Sequence, residues 1–218
     1  MRETATGLPR ARAEFARGRP IVLVDDFAGE AGVLLLAAET VTPAGMAFVV
    51  DHTSGFVCVA LPAARCAQLR LPPMCAPTST ALPDFCVTFD AAEGITTGIS
   101  ARDRARGARL VADPASGPAD LVRPGHLIPV RAADGRLLER VGRAEAAVRL
   151  AELAGLAPAT VLADLVAAAD PTRMCAGAEA REFAAEHGLA SVALTEVVEH
   201  ELAALDDHVR ADPRKGLG

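Results

Sequence analysis

The sequence predicts an α/β protein with a mixed β-sheet and helices on both faces of the sheet. Short apolar runs that suit buried strands alternate with longer stretches at helical spacing, as in IVLVDD (21–26) and RAEAAVRLAELAGL (143–156). Polar, glycine-marked segments adjoin these runs. The early part of the chain lacks regular strand–helix–strand spacing, so a mixed sheet is favoured over a doubly wound parallel sheet.

The length of the chain, 218 residues, suits one domain with a full hydrophobic core. Tryptophan and tyrosine are absent and only seven residues are phenylalanine, so alanine, valine and leucine must build most of the core. We expect a flexible or helical N-terminal lead-in at 1–18, a single domain at 19–206 and a C-terminal tail at 207–218.

Composition excludes several classes of partner. The formal net charge of −6 gives no electrostatic reason to expect nucleic acid. No run of about 18 apolar residues is present, so we expect no membrane span, and the arginine-rich N-terminus lacks the apolar core of a secretory signal. The cysteines are odd in number and form no C-x-x-C pair, which favours reduced thiols in a cytoplasmic protein.

In the first third of the chain, the segment 30–41 is the most ambiguous. Its apolar residues suit a strand or a helix, and a helix is favoured by the way it starts and by Pro43 beyond its end. Thr42 and Pro43 predict the start of the next helix, as N-cap and first helical residue. The predicted elements here are strands at 21–26 and 56–62 and helices at 30–41, 42–52 and 63–69.

In the remainder, the proline-rich segment 71–84 predicts a long loop. Ser100 is placed to cap a helix that runs to about Val111, and Gly155 ends the most regular helix of the chain. A final strand is followed by a helix that we expect Thr195 to cap. The other predicted elements are strands at 84–91, 127–132 and 160–166, a loop at 114–124, and helices at 143–156 and 179–189.

Cationic side chains gather between residues 123 and 143, where Arg123, His126, Arg140 and Arg143 occur. Arginine forks suit phosphate and carboxylate groups, so a small anionic ligand is expected, although solvated arginines at strand ends are the alternative. Thr96 and Thr97, which lie between glycines, offer the donors of an anion-binding nest or form an ordinary turn.

Other candidates for chemistry are two histidines and two carboxylates. His52 and His126 have side chains that exchange protons near neutral pH, and a structural role is the alternative for each. Asp25 and Asp26 end a strand, where α/β sheets hold ligands, or form a turn. No histidines and carboxylates have metal-ligand spacing, and neither G-x-G-x-x-G nor G-x-x-x-x-G-K-[ST] is present.

A succession of motifs resembles one known family. HTSGFVCVAL, LPPM, FDAAEGITTGISARDRA, DLVRPGHLIPVRA and R-x-G-x-x-E-A-A-V-x-L occur in the order found in 3,4-dihydroxy-2-butanone 4-phosphate synthase, an enzyme of riboflavin biosynthesis. The resemblance covers roughly residues 18 to 200. It implies a mixed α/β sheet covered by helices, and a homodimer with sites near the interface. It also implies the magnesium-dependent conversion of ribulose 5-phosphate to the butanone phosphate and formate.

By resemblance, Arg140 would contact the substrate phosphate, Thr97 and His126 would hold the sugar portion, and Cys58 would line the pocket. The other positions that fit the family are Asp25, Asp26, His52, Thr53, Ser54, Gly55, Thr96, Asp103, Arg123 and Glu145.

The departures from the family pattern fall on its chemistry. The family's acidic loop, D-D-x-x-R-E-N-E-G-D-L, here reads D-D-F-A-G-E-A-G-V-L, and only Glu30 remains near its acidic positions. Arg143 replaces the metal-binding histidine of the family's H-T-E-A motif, and Asp164 replaces the glutamate of a C-E-L pattern. The asparagine-rich stretch that follows LPPM in the family has become CAPTSTALPD.

Magnesium prefers oxygen ligands, so these losses predict a diverged homologue that acts without a metal on a small anionic ketone, enolisable acid or sugar phosphate. Specialised metabolism is the expected setting of such an enzyme. The alternatives are the authentic synthase, with Glu30 and Asp164 or Glu145 rebuilding a magnesium site, and a non-catalytic binding subunit. We expect no cofactor unless the first alternative holds. The expected catalytic residues are Asp25, Asp26, Glu30, His52, Cys58, His126 and Arg143. The expected substrate-binding residues are Thr53, Ser54, Thr96, Thr97, Asp103, Arg123, Arg140 and Glu145.

Overall fold

The computed structural model of the chain describes residues 7–27, 31–75, 84–133 and 137–211, with side chains described up to residue 206. Those parts hold seven α-helices and eight β-strands. The helices are α1 (Leu8–Ala16), α2 (Pro43–His52), α3 (Ala63–Gln68), α4 (Ala101–Ala112), α5 (Arg143–Leu153), α6 (Gly177–Glu186) and α7 (Leu194–Ala211). The strands are β1 (Ile21–Asp25), β2 (Ala31–Ala37), β3 (Cys58–Pro62), β4 (Asp84–Phe85), β5 (Phe89–Ala91), β6 (Leu121–Ala132), β7 (Thr160–Asp164) and β8 (Ala190–Ala193).

The strands form one mixed sheet in the order β4-β6-β3-β7-β2-β1-β8, and β5 pairs with β6 beside this path. Strands β1 and β8 are parallel, as are β3 and β6. The pairs β1–β2, β2–β7 and β3–β7 are antiparallel, so β2 lies between β1 and β7. The mixed sheet predicted from the sequence is therefore confirmed.

Helices cover both faces of the sheet, as predicted. Side chains alternate along a strand, so Val22 and Val24 of β1 enter one core while Ile21 and Leu23 enter the other. Helices α2, α4 and α6 pack on the first face, and α1, α5 and α7 pack on the second. Helix α1, in the segment expected as a lead-in, buries Ala11 and Phe15 completely in the second core.

The largest error of the sequence reading is at 30–41, where we expected a helix. Residues 31–37 form strand β2, which pairs with β1 and β7 and is buried along almost its whole length. A strand covered on both faces reads as a continuous apolar run and loses the alternation that identifies a strand. The leucines and alanines of this run also have high helix propensity, which tertiary burial overrides.

Smaller differences occur at element boundaries. The expected strand 84–91 is divided into β4 and β5, and β6 extends back to Leu121, through part of the loop expected at 114–124. Thr42 and Ser100 cap α2 and α4 as predicted, accepting hydrogen bonds from the amides of Gly45 and Asp103. No helix in the described part of the chain is long and apolar enough to cross a membrane.

The pairing of β2 with its neighbours positions two carboxylates. Asp25, the last residue of β1, pairs with Ala31, and Asp164, the last residue of β7, pairs with Val33. Ala31 and Val33 are two residues apart, so their side chains and those of their partners point to the same face. Val33 belongs to the second core, so both carboxylates emerge on the face that α5 covers.

We predict that Gly32→Ala destabilises the fold. A Cβ atom at this position of β2 would lie 2.5 Å from the Ala180 Cβ of α6 and 3.2 Å from a methyl group of Leu165. Overpacking of this kind lowers the free energy of unfolding by about 1–3 kcal/mol. Urea denaturation measures the change. Gly117→Ala is the control, because its Cβ would meet no atom within 4 Å. Equal unfolding midpoints for the two variants would contradict the close approach of β2 and α6.

Candidate active site

A cavity of about 120 Å³ opens on the second face of the sheet, at the N-terminus of α5. Its walls combine apolar side chains from the sheet with charged side chains from α5 and the residues before it. Cys58 lies on its strand wall, while Arg140, Arg143 and Glu145 lie on the α5 side and Asp164 ends the neighbouring β7. An apolar cavity with a few converging charged groups is the usual form of a small-molecule site.

Arg143 joins the two carboxylates that the sheet brings to this face. Its guanidinium hydrogen-bonds the Asp164 carboxylate, and its Nε lies 3.7 Å from Oδ2 of Asp25. Arg143 is also the first residue of α5, whose N-terminus has no side-chain cap. The sequence could not decide whether Arg143 faces the cavity, and the structure shows that it does.

Arg140 is held by a buried carboxylate. Its Nε donates to Glu145 Oε1 at 2.7 Å and its Nη2 donates to the Arg131 carbonyl at 2.9 Å. Glu145 also accepts from the amide of Ala133 at 2.9 Å and is only 4% exposed. Charge-assisted bonds of this kind fix a guanidinium in one orientation. Glu145 therefore orients Arg140, instead of facing a ligand as a free carboxylate.

Cys58 is buried in the wall of the cavity and its thiol is neutral. Burial, with a further contribution from the Asp164 carboxylate, raises the pKa of Cys58 to about 12, although Arg143 acts in the opposite direction. The thiolate is the nucleophilic form of cysteine. The environment therefore does not favour the nucleophilic role expected for Cys58, while its place in the pocket wall agrees with the resemblance.

A second group of polar side chains lies on β5 and the first half of β6. Asp90, which is 7% exposed, accepts two hydrogen bonds from His126, one from the backbone amide at 3.0 Å and one at ring atom Nδ1 at 2.7 Å. Nδ1 is thereby tied to the carboxylate, and the half-exposed ring presents Nε2 to solvent. His126 does not line the cavity beside α5.

The glycine-marked loop at residues 96–98, next to this group, is held in place by a side chain of the same polypeptide. Buried Asp103 accepts hydrogen bonds from the amides of Thr96 and Gly98 and from the Thr96 hydroxyl, at 3.2, 3.1 and 2.7 Å. These bonds lower the pKa of Asp103, and the bond from the Thr96 hydroxyl has the largest effect. The anion nest predicted at this position therefore exists, but Asp103 fills it. Thr97 is exposed beside it.

His52 and its neighbours lie on the other side of the sheet from the cavity. Helix α2 packs on the first face, and the His52 ring contacts those of Phe48, His187 and Phe183 at centroid distances of 4.4, 4.8 and 5.4 Å. Burial, followed by the nearby His187, lowers the pKa of His52. The sheet thus separates His52 from Cys58, although the sequence places them six residues apart.

Four further candidates make hydrogen bonds within the fold. Thr53 donates to the Val49 carbonyl at the end of α2. Ser54 accepts from the amide of Phe56. Asp26 accepts hydrogen bonds from the amide and the hydroxyl of Thr195. Burial alone would raise the pKa of Asp26, but these hydrogen bonds outweigh it, so the pKa is lowered. Arg123 donates to the carbonyls of Leu69, Pro118 and Leu121. Glu30 lies outside the described residues.

Two carboxylates of these groups were absent from our set of expected site residues. Asp164 was named only as a replacement and, in the authentic-synthase alternative, as one residue that could rebuild a magnesium site. Its position relative to Asp25 depends on the register of β2, which we read as a helix. Asp90 gave no signal of its own within the FDAAEG motif, since its bond with His126 joins residues 36 positions apart. The pairing of β5 with β6 brings Asp90 to His126, and the sequence alone does not show that pairing.

Comparison with known proteins identifies the family. The model of the 3,4-dihydroxy-2-butanone 4-phosphate synthase family matches residues 9–200. The chain therefore belongs to the 3,4-dihydroxy-2-butanone 4-phosphate synthase family, as its motifs predicted. The riboflavin biosynthesis protein RibBA of Rhodococcus jostii is 46% identical over 196 residues, which are 88% of this chain and 46% of that protein. RibBA of Salinispora arenicola is 46% identical over 193 residues, with the same coverage. The chain spans about half the length of the curated relatives it matches.

Solved structures agree in fold. The 3,4-dihydroxy-2-butanone 4-phosphate synthase of Candida albicans superposes with a TM-score of 0.83 and 40% identity, covering 91% of this chain and 98% of that one. Another 3,4-dihydroxy-2-butanone 4-phosphate synthase, solved in complex with two magnesium ions, gives a TM-score of 0.84 and 35% identity, covering 90% and 96%.

These relatives correct our main functional expectation. We predicted a diverged, metal-independent enzyme without a cofactor, whereas relatives at 46% identity are named as riboflavin biosynthesis proteins and a related synthase contains magnesium. The expectations of metal independence and of no cofactor are therefore wrong. The findings favour the first alternative, the authentic riboflavin-pathway enzyme.

The donor chemistry of the cavity is compatible with magnesium. Asp25 and Asp164 supply carboxylate oxygens on one face of the sheet, and their convergence on the guanidinium of Arg143 shows that they suit a shared cation. Magnesium in proteins is commonly held by one or two carboxylates together with water and substrate oxygens. Within the described ranges, no group of three or more His, Cys, Asp and Glu side chains could hold a metal, so these two carboxylates would need water and substrate oxygens to complete the coordination of magnesium.

We predict that Cys58 resists alkylation in the folded protein. Native protein treated with iodoacetamide near pH 7.5 should react at exposed Cys75 at least about a hundredfold faster than at Cys58, because only the thiolate reacts. Peptide mass spectrometry after a time course measures both sites, and unfolding in urea should remove the difference. Equal rates in the native state would contradict a neutral, buried Cys58 thiol.

Proposed function

We propose that the chain catalyses the reaction of its family, the magnesium-dependent conversion of ribulose 5-phosphate to 3,4-dihydroxy-2-butanone 4-phosphate and formate. The observation that carries this proposal is the cavity beside α5, where the guanidinium groups of Arg140 and Arg143 and the carboxylates of Glu145 and Asp164 meet against an apolar wall. Asp25, next to Arg143, adds a third carboxylate. Membership of the family supports the same reaction. A small sugar phosphate needs both a cation for its phosphate and groups that act on its hydroxyl and carbonyl oxygens.

Asp25 and Asp164 are the residues that would hold magnesium in this chain. When bound, the metal supplies Lewis-acid polarisation of substrate oxygens, which favours enolisation and the later rearrangement. Arg143, which contacts both carboxylates, must move relative to them before either can serve as a ligand through the same oxygens.

Arg140 would bind the substrate phosphate. Its Nε and Nη2 are already engaged by Glu145 and by the Arg131 carbonyl, so the guanidinium plane is fixed before substrate arrives. Its Nη1, 3.7 Å from Asp84, is the donor least engaged within the protein and the one best able to meet a phosphate oxygen. The neutral thiol of Cys58 adds no negative charge to the wall of the cavity, so it does not repel the substrate anion.

His126 would exchange protons with the sugar portion through Nε2, because Asp90 occupies Nδ1. Its position outside the cavity beside α5 supports a homodimer in which a second copy brings Thr97 and His126 to this cavity. Exposed apolar side chains support the same arrangement: Phe56 lines the cavity, Ile99 follows the loop closed by Asp103, and Val122 precedes His126 on β6.

The free state of all five cysteines supports the expected cytoplasmic setting.

We predict magnesium-dependent turnover. Formate release and ribulose 5-phosphate consumption should occur with magnesium and stop when a chelator is added. Arg140→Ala should lower kcat/KM by about 10²-fold, because a positioned charge that meets the anion is lost. Arg149→Ala is the control, since Arg149 lies on the same helix but pairs with Glu152 and Glu201 away from the cavity. Turnover that persists in chelator, or an Arg140→Ala enzyme as active as Arg149→Ala, would contradict the proposal.

We predict that two inactive variants complement each other. Arg140→Ala and His126→Ala should each have at most about 1% of wild-type activity alone, because both sites of each variant dimer lack the same residue. After the variants are unfolded together and refolded at equal concentrations, half of the dimers are mixed, and each mixed dimer has one intact site. The mixture should therefore reach about a quarter of wild-type activity. No recovery, together with a monomeric mass in light scattering, would contradict the shared site.

A further inference from the structure

We infer that Arg143 is a built-in competitor of the divalent cation: its guanidinium pairs with Asp25 and Asp164 and must withdraw for magnesium to bind there. The inference rests on the magnesium-dependent reaction proposed above. It goes beyond that reaction, because it assigns to one side chain control over whether the metal can enter.

The geometry places the cation of Arg143 where both carboxylates can be reached at once. The guanidinium hydrogen-bonds Asp164 and approaches Asp25 at 3.7 Å, so one planar group spans the ends of β1 and β7. The side chain of Asp25 is only 10% exposed, whereas those of Arg143 and Asp164 are 34% and 38% exposed. Arg143 and Asp164 both line the cavity, so their ion pair is accessible from it, whereas Asp25 lies behind them.

Competition follows from the chemistry of the shared oxygens. A carboxylate lone pair that accepts from a guanidinium N–H cannot coordinate a metal at the same time. A permanent positive charge within about 4 Å also opposes the approach of a dication, most strongly where the surroundings are partly buried. Magnesium binding therefore requires the oxygens of Asp164 to exchange one cation for another.

The position of Arg143 favours its release. As the first residue of α5, it lies at the positive end of the helix dipole, where a cation is destabilised and an anion is stabilised. The two carboxylates offset this effect, and they lose that role once magnesium neutralises them. The long side chain then remains beside the cavity and can pair with an anionic group of the substrate. Metal and anion should consequently bind with positive coupling.

The test measures metal binding and needs no turnover. Titration of the protein with Mn²⁺, followed by electron paramagnetic resonance of the free ion, and with Mg²⁺ by calorimetry gives the affinities. Arg143→Met removes the charge but keeps an unbranched side chain, and it should bind the metal at least about tenfold more tightly than the wild-type chain. Arg143→Lys keeps a cation and should stay near the wild-type affinity. Asp164→Asn combined with Arg143→Met should abolish the gain.

Arg149→Met is the matched control, because Arg149 also pairs with two carboxylates, Glu152 at 3.0 Å and Glu201 at 2.7 Å, but away from the cavity. An equal gain in Arg149→Met would show that any released acidic pair binds the ion, and would overturn the inference. Unchanged or weaker binding in Arg143→Met would overturn it as well, as would no binding in either chain. Circular dichroism confirms that each variant is folded. Turnover assays remain separate, so a failed inference leaves the proposed reaction open to its own test.

Discussion

Both faces of the central sheet are covered by helices, so the strands that build the core cannot carry exposed polar groups along their length. The carboxylates that Arg143 contacts lie where two of these strands end. Asp25 ends β1 and Asp164 ends β7, and the register of both strands with β2 sets them on one face. The guanidinium of Arg143, at the start of α5, is held between these carboxylates because of this pairing.

Much of the fold was readable in the sequence, and the reasons for the failures are physical. Local signals were sufficient at two helix starts, where Thr42 and Ser100 form caps through bonds that reach only three residues ahead. They failed at α7, which begins at Leu194, because the Thr195 hydroxyl bonds the distant Asp26 instead of capping the helix. The reading failed at 31–37 because burial on both faces removes the alternation that distinguishes a strand from a helix. That single error also hid the relation between Asp25 and Asp164, which exists only when β2 lies between their strands.

The candidate site was readable in part. Arg140, Arg143, Glu145 and Cys58 were expected near a ligand, and the structure brings them to one cavity. Other expected residues were recognised as polar and conspicuous, but their partners are backbone groups, as the three carbonyls around Arg123 illustrate. A sequence lists donors without showing which acceptors already satisfy them. The loss of the family's metal ligands was also given too much weight as a sign of metal independence. The sequence shows which ligands are missing, but it does not show that the carboxylates of Asp25 and Asp164 both reach Arg143.

The loop that Asp103 closes has a thermodynamic consequence for any molecule that meets it. Free glycine-rich loops lose conformational entropy when a ligand organises them, and that loss is subtracted from the affinity. Here a buried side chain of the same polypeptide plays the part of the ligand, so the segment from Thr96 to Gly98 is already in its final shape. Thr97 therefore lies on a backbone that three hydrogen bonds already hold, and a ligand that meets it would lose less free energy in ordering the loop.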